Sequence, residues 1–139
     1  MHSPRYESPE EAEDAFYRAF EAGDLLAMMG VWAENETIVC IHPSGSRLDG
    51  QDAISRSWKS IFDHSPGLEI RITDATRTRE GGIAVHVVHE HIRLITAERH
   101  QPPMITTNVF RLTDKGWRMI VHHASPVPGS EFNPQAALH

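Results

Sequence analysis

Ten histidines in 139 residues put imidazole chemistry first, because this side chain gains and loses a proton near neutral pH and serves as acid, base or metal ligand. His86, His89 and His91 share the stretch Ile83 to Ile95 with Glu90 and Arg93, and His122 and His123 stand side by side in Trp117 to Ser125. In extended backbone alternate side chains share a face, so His89, His91 and Arg93 form one set and His86, Val88, Glu90, Ile92 and Leu94 the other. Arg93 offers a fixed fork for a carboxylate or other planar anion, and a histidine beside it could give or take a proton. His89 and His91, with His123 from a nearby strand, also meet the spacing of a three-histidine zinc site on paper. Such sites need further groups that orient the ligands, and the expectation is a chain with no metal and no cofactor.

Each of these residues has a plainer reading. Arg93 is as readily a buried cation paired with Glu90, Glu98 or another carboxylate, and His91 and His123 are as readily hydrogen-bonded structural histidines. Trp32, Trp58 and Trp117 follow apolar stripes, so core packing is their first explanation and a pocket wall the second. His2, His64, His100 and His139 fall in loops or termini and are expected in solvent. Cys40 reads as an inert buried thiol, and neither it nor Ser125 lies in a turn that would activate a nucleophile.

The elements that must position these groups follow from periodicity and punctuation. Ser8, Pro9 and Glu11 fit an N-cap, a first helical residue and the return half of a capping box, and Ala12, Ala15, Phe16, Ala19 and Phe20 form the buried stripe that follows. Gly23 ends this helix. Asp24 caps a second one carrying Leu25, Met28, Met29 and Trp32, with Glu34-Asn35-Glu36 as a polar loop after it. Thr37 to His42 reads as a short strand, and Leu48-Asp49-Gly50 turns the chain into a third helix bearing Ile54, Trp58, Ile61 and Phe62, stopped at Ser65-Pro66-Gly67. From Leu68 the period changes to two. Strands are expected at about Leu68 to Arg77, Ile83 to Ile95, Met104 to Thr113 and Trp117 to Ser125, with a longer loop from Ala97 to Pro103. Helices first and an antiparallel run afterwards make an α+β layout, a curved sheet against helices on one side. In the last strand, simple alternation sends Trp117, Met119, Val121, His123 and Ser125 to one face and Arg118, Ile120, His122 and Ala124 to the other. Neither face is plainly polar, so the inward histidine of the pair stays open.

Length and charge bound the function classes. The chain is the size of one domain, read as a loose, flexible arm at 1–7, a single body at 8–128 and a tail at 129–139. Its net charge of -6 and its scattered 13 lysines and arginines argue against nucleic acid and against a polybasic membrane patch. A single cysteine excludes an internal disulfide framework, no apolar run reaches membrane-spanning length, and a soluble cytoplasmic protein is expected.

Gly23-Asp24 between the first helices, Leu48-Asp49-Gly50 before the third, Ile92-Arg93-Leu94, and Gly116-Trp117 followed by His123-Ala124-Ser125 together carry a resemblance. Over residues 8 to 128 the chain resembles the nuclear transport factor two-like (NTF2-like, cystatin-like roll) superfamily. It is most similar to the SnoaL-like proteins and to the hub, or association, domain of calcium/calmodulin-dependent protein kinase. The resemblance implies a cone-shaped antiparallel sheet on three helices, a pocket inside, and a homodimer through the outer sheet face, where Val88, Ile92, Leu94, Ile105 and Val109 are the apolar candidates. Kinase hubs line the pocket with arginines. Arg93 matches one such position, whereas Asn108 and Ala124 stand at two others and Ile54 replaces a histidine. The implied pocket holds Arg93, His89, Asn108, Phe110, Trp58, Trp32, His42 and His122 as ligand-binding residues, with His123 and His91 as the acid–base pair. The implied function is binding of a small organic ligand, anions included, with ketosteroid isomerase-like, cyclase or dehydratase chemistry. A non-catalytic ligand-binding or oligomerisation domain of the hub kind is the alternative, since the fold alone does not select a reaction.

Overall fold

Ser8 caps the first helix through its hydroxyl, which accepts the Glu11 amide N–H at 3.1 Å. The Glu11 carboxylate returns to the Glu7 N–H at 2.7 Å, one residue earlier than a standard capping box. In this computed structural model, which describes residues 4–34, 37–65, 67–96 and 101–129, α1 (Pro9–Ala22) ends at Gly23, held in the left-handed region at φ 64°. Asp24 accepts the Ala27 N–H at 3.0 Å and starts α2 (Leu25–Val31). There follow β1 (Val39–Ile41), β2 (Arg47–Asp49), α3 (Gly50–Asp63), β3 (Leu68–Glu80), β4 (Ile83–Leu94), β5 (Met104–Thr113) and β6 (Gly116–Pro126).

The six strands form one curved, unclosed sheet in the order β2-β1-β6-β5-β4-β3, antiparallel except where β1 runs parallel to β6. The α+β expectation holds, with one strand more than the sequence suggested. Leu48-Asp49, read as a turn, belongs to β2 and pairs with β1. Its three residues bury only Leu48, and partly, which is too short a pattern for alternation to register. Among the described residues no helix is long and apolar enough to cross a membrane.

Two irregularities decide which side chains look inward. The β3–β4 register shifts between Thr73 and Thr76, where Asp74 takes φ 52°. The β5–β6 register shifts where Val109 faces Val121 but Phe110 faces Met119, leaving Ile120 as the extra residue of a β-bulge. The alternation of β6 therefore changes phase midway. Trp117 and Met119 point into the core on one side of the bulge, and His122 and Ala124 do so on the other. Strict alternation had set these residues on opposite faces.

Along β4 the inward set is Ala84, His86, Val88, Glu90 and Ile92, all buried. Val88 and Ile92 thus leave the outer face that the dimer expectation gave them, because the core needs their apolar surface. Leu94 packs partly against the same core. Residues 4–7 are tied down rather than loose: Tyr6 bridges to Gly116, and its carbonyl accepts the Trp117 N–H at 2.9 Å. A Cβ at residue 116 would lie 2.7 Å from the Tyr6 carbonyl oxygen, so only glycine lets the arm approach. Residues 1–3, the Asn35-Glu36 part of the loop after Trp32, Pro66, residues 97–100 and the tail from 130, with His2, His100 and His139, lie outside the described residues.

Helix α1 is fixed on the sheet by Glu13. Its Oε1 accepts from Arg77 Nη2 at 2.8 Å and Nε at 3.1 Å, and its Oε2 from His86 Nδ1 at 2.8 Å. Burial pushes the carboxyl up, but these hydrogen bonds and the charges behind them outweigh it and hold Glu13 below its ordinary 4.5. A depressed folded-state value stabilises the fold above the unfolded value, and that contribution is lost as pH falls through the folded one. Glu13→Gln should lower stability at neutral pH by about 2 to 3 kcal/mol. It should also flatten the loss of stability between about pH 5 and pH 3, read by urea unfolding across that range.

Candidate functional site

Inside the sheet, four buried polar side chains join into a row. Tyr17 Oη donates to Glu90 Oε2 at 2.6 Å, Asn108 Nδ2 donates to Tyr17 Oη at 3.0 Å, and His122 Nδ1 lies 2.7 Å from Asn108 Oδ1. The helix contributes one member and strands β4, β5 and β6 one each. Hydrogen-bond inventory then fixes every proton. A phenol that donates to a carboxylate has only lone pairs left for Asn108, so the amide turns its NH2 to Tyr17 and its carbonyl oxygen to the imidazole. That oxygen accepts only, hence His122 carries its proton on Nδ1 and, in the neutral ring, keeps the Nε2 lone pair as the basic atom. All three donations point the same way, toward Glu90, an arrangement in which each bond polarises the next.

The imidazole end of the row is enclosed by rings. His122 lies 4.8 Å from Phe16 and 6.0 Å from Trp58 between centroids, and His42 lies 4.9 Å from Trp58 and 6.3 Å from His122. His42 is set by the third helix: Ser57 Oγ donates to the Ile54 carbonyl at 2.7 Å and so receives His42 Nε2–H at 3.1 Å. Cys40 Sγ sits 3.6 Å from the same nitrogen. Burial, with the Glu90 charge adding to it, pushes the Cys40 thiol up to about 12, so it is no nucleophile at neutral pH. Tyr17 is held well above its ordinary 10.0, by burial first and by the charge and hydrogen bond of Glu90 next.

Of the residues singled out from sequence, His122, Asn108, Phe110, Trp58, Trp32 and His42 belong to the interior. Phe110 packs on His86 at 5.0 Å, and Trp32 is fully buried, beside Met119, at the end of α2. Arg93, His89, His91 and His123 do not join them. They occupy the opposite parity of β4 and β6 and lie on the outer side of the sheet. Arg93 pairs with Glu69, not with Glu90, while Glu98 lies outside the described residues. His91 Nε2 meets Thr73 Oγ1 at 2.8 Å, and His89 meets Asp74 at 3.3 Å.

The zinc geometry fails for a related reason. His89 registers with Ile105 and Ser125, whereas His123 registers with Thr107 and Val87, two strands away from β4 and one pair out of step. His91 is two strands across and four residues along from His123, about 16 Å between backbones, so the three imidazoles cannot meet on one ion. Among the described residues no group of three or more His, Cys, Asp or Glu could hold a metal.

Sequence reasoning missed Tyr17, Glu90, Glu13 and His86 as interior groups. A signal for the parity was present. Val88 and Ile92 make their face of β4 the apolar one, and the hydrophobic pattern predicts that it faces the core with His86 and Glu90 on it. Expecting Arg93 inward followed the family likeness against that pattern. Glu13 and Tyr17, four apart on α1, flank the Phe16 stripe and reach the sheet together.

A family model for the SnoaL-like domain matches residues 10–129. Among solved structures, a protein of Thiobacillus denitrificans provisionally assigned as a calcium/calmodulin-dependent protein kinase type II association domain is 38% identical, with a TM-score of 0.83, covering 89% of this chain and 98% of that one. A Streptomyces avermitilis protein provisionally assigned as a dehydratase of the NTF2-like family is 31% identical, with a TM-score of 0.74, covering 84% and 91%. The F-box protein SKIP8 of Arabidopsis thaliana is 25% identical over 114 residues, which are 79% of this chain but 46% of that protein, so this chain spans less than half the length of that relative.

Tyr17 and Tyr6 are the two tyrosines of the chain, and burial raises both. In a Tyr6→Phe variant, tyrosinate absorbance should not develop near pH 10 and should rise only with alkaline unfolding. Tyr17→Phe leaves the Asn108 amide without the Tyr17 acceptor and removes the Tyr17 donor from Glu90, and should lower stability by about 1 to 3 kcal/mol in chemical denaturation.

Proposed function

Because this chain belongs to the SnoaL-like domain family of NTF2-like proteins, we propose that it binds a small organic molecule between its helices and its sheet. His122 is the acid–base group in a lyase or isomerase reaction of the ketosteroid isomerase, cyclase or dehydratase kind. The observation that carries this reading is the one-way hydrogen-bond row, which fixes the His122 tautomer and presents Nε2 as a base beside Phe16 and Trp58. When Nε2 takes a proton, the positive charge stays on the imidazolium and is stabilised by the Asn108 carbonyl oxygen, which Tyr17 and the Glu90 carboxyl group orient and polarise. Thr106 supports the same reading: its hydroxyl is fully buried on the inner face of β5 and makes no hydrogen bond within the described chain. A ligand oxygen or amide is the natural partner for such a group.

The charged groups that face the interior, among the described residues, are Glu13 and Glu90, with Arg77 committed to Glu13. The interior therefore suits a neutral, largely apolar ligand with one or two polar handles better than an anion. Asn108, Phe110, Trp58, Trp32, His42 and Thr106 are the proposed contacts. The likeness to a protein assigned as a kinase association domain favours a second reading, in which the pocket binds without turnover and the domain serves assembly. A homodimer through the outer sheet face is common to both. Val85, Val109 and Val121 form one cross-strand row there, and Val87 and Ile105 adjoin it. A cytoplasmic location, resting on the lone free thiol, completes the proposal.

Incubation with a panel of small ketones in D2O, read by mass spectrometry, tests the first reading. Deuterium should enter at the carbon beside the carbonyl, and His122→Gln should slow its entry by about 10² to 10⁴-fold. Wild-type protein that retains a ligand by native mass spectrometry yet exchanges nothing would move the conclusion to the second reading. Multi-angle light scattering should give a dimer mass at micromolar concentration and a monomer for Val109→Glu, whose charge would fall in the middle of the buried face.

A further inference from the structure

We propose that the dimer contact on the outer face of the sheet is opened by acid, with His123 as the group whose protonation separates the two copies. The inference rests on the homodimer proposed above and names what regulates it. Strand register lays out the surface. Across β1, β6, β5 and β4 the outer side chains form two adjoining rows, with Val39, Val121, Val109 and Val85 in one and Ile41, His123, Thr107 and Val87 in the other. Apolar surface of this kind offers nothing to a charged partner, whereas a second copy brings the same strip and matches it under two-fold symmetry. Within the strip His123 alone can gain a charge.

The surroundings of His123 leave an added proton uncompensated. Its ring is exposed, and among the described residues it takes part in no hydrogen bond or ion pair. Ile41 and Thr107 flank it across the strands, and Val121 and Ser125 flank it along β6. The titratable and charged groups of the same face lie farther out and are engaged. On the β1 side, Arg47 is in register with Ile41 and forks onto Asp49, with Nη2 at 3.0 Å. On the β4 side, His89 faces Asp74 at 3.3 Å, His91 bonds to Thr73, and Arg93 pairs with Glu69. Toward the β5–β6 turn stand Arg111 and Arg118, both cations, which oppose a further positive charge. In the separated chain, water solvates the imidazolium. Between two copies of an uncharged strip the ring loses that water and meets no carboxylate, so the dimer holds the neutral form. Each dimer contains two such rings. The contact therefore weakens as pH falls through the range in which imidazole titrates, from about pH 8 to about pH 5.

Sedimentation equilibrium of the full chain at about pH 7.5 and about pH 5.5 tests the switch, with far-UV circular dichroism to follow the fold at both. The dimer dissociation constant of the wild type should rise about tenfold or more on acidification. His123→Gln, neutral at both values, should change by less than about threefold, and His123→Lys, charged at both, should raise the constant about tenfold or more at about pH 7.5. That last comparison needs no acid and decides the matter whatever the acid stability of the fold. The proposal is overturned if His123→Gln keeps the wild-type response, if His123→Lys dimerises as tightly as the wild type, or if acid tightens the dimer. A monomeric wild type at about pH 7.5 overturns it together with the homodimer, whereas a dimer indifferent to pH overturns the switch alone.

Discussion

A carboxyl group moved from water into a protein interior must be met by hydrogen-bond donors, and in this molecule that requirement is imposed twice on one helix–sheet interface. Glu13 on α1 is met by Arg77 and His86, and Glu90 on β4 is met by Tyr17. Each contact joins the first helix to the sheet, in opposite directions: an acid from the helix reaches donors on the strands, and an acid from a strand reaches a donor on the helix. The register of α1 over the sheet is therefore specified by directional bonds as well as by the apolar packing of Phe16 and Phe20. The orientation of Asn108 and the tautomer of His122 follow from the same requirement, because Tyr17 has a single proton and gives it to Glu90.

The bulge in β6 supplies the second condition. With unbroken alternation the strand could not bury Trp117 and Met119 at one end and His122 at the other on the same side, since an odd number of steps separates Met119 from His122. One extra residue at Ile120 removes that conflict. It also sends His123, the adjacent imidazole, to the outer side. Two histidines of identical chemistry thus acquire different surroundings: one sits among Phe16, Trp58 and Asn108, and the other is exposed on the outer face.

The two sides of the sheet divide the charge as well. The inner side carries acids whose donors, Arg77 among them, are built in, and the outer side carries Arg93, Arg111 and Arg118. Arg93 is bonded to Glu69, Arg118 is clasped by backbone carbonyls and Tyr6, and Arg111 stands opposite Arg118.

Local signals in the sequence determined the helices and their caps, the spans of the four long strands and the α+β class. Ser8, Gly23 and Asp24 act on neighbours within a few residues, and apolar spacing within one element reports that element's own period. The parity of β4 was legible too, in Val88 and Ile92. Tertiary structure alone decided the rest. Tyr17 and Glu90 are 73 residues apart, Tyr17 and Asn108 91 apart, and no periodicity encodes which helix residue meets which strand residue. The short β2, the bulge at Ile120 and the pairing of Arg111 with Arg118 likewise exist only once strands are set side by side. Hydrogen-bond direction and strand register are properties of neighbours in space, and the row that ends at His122 is made of both.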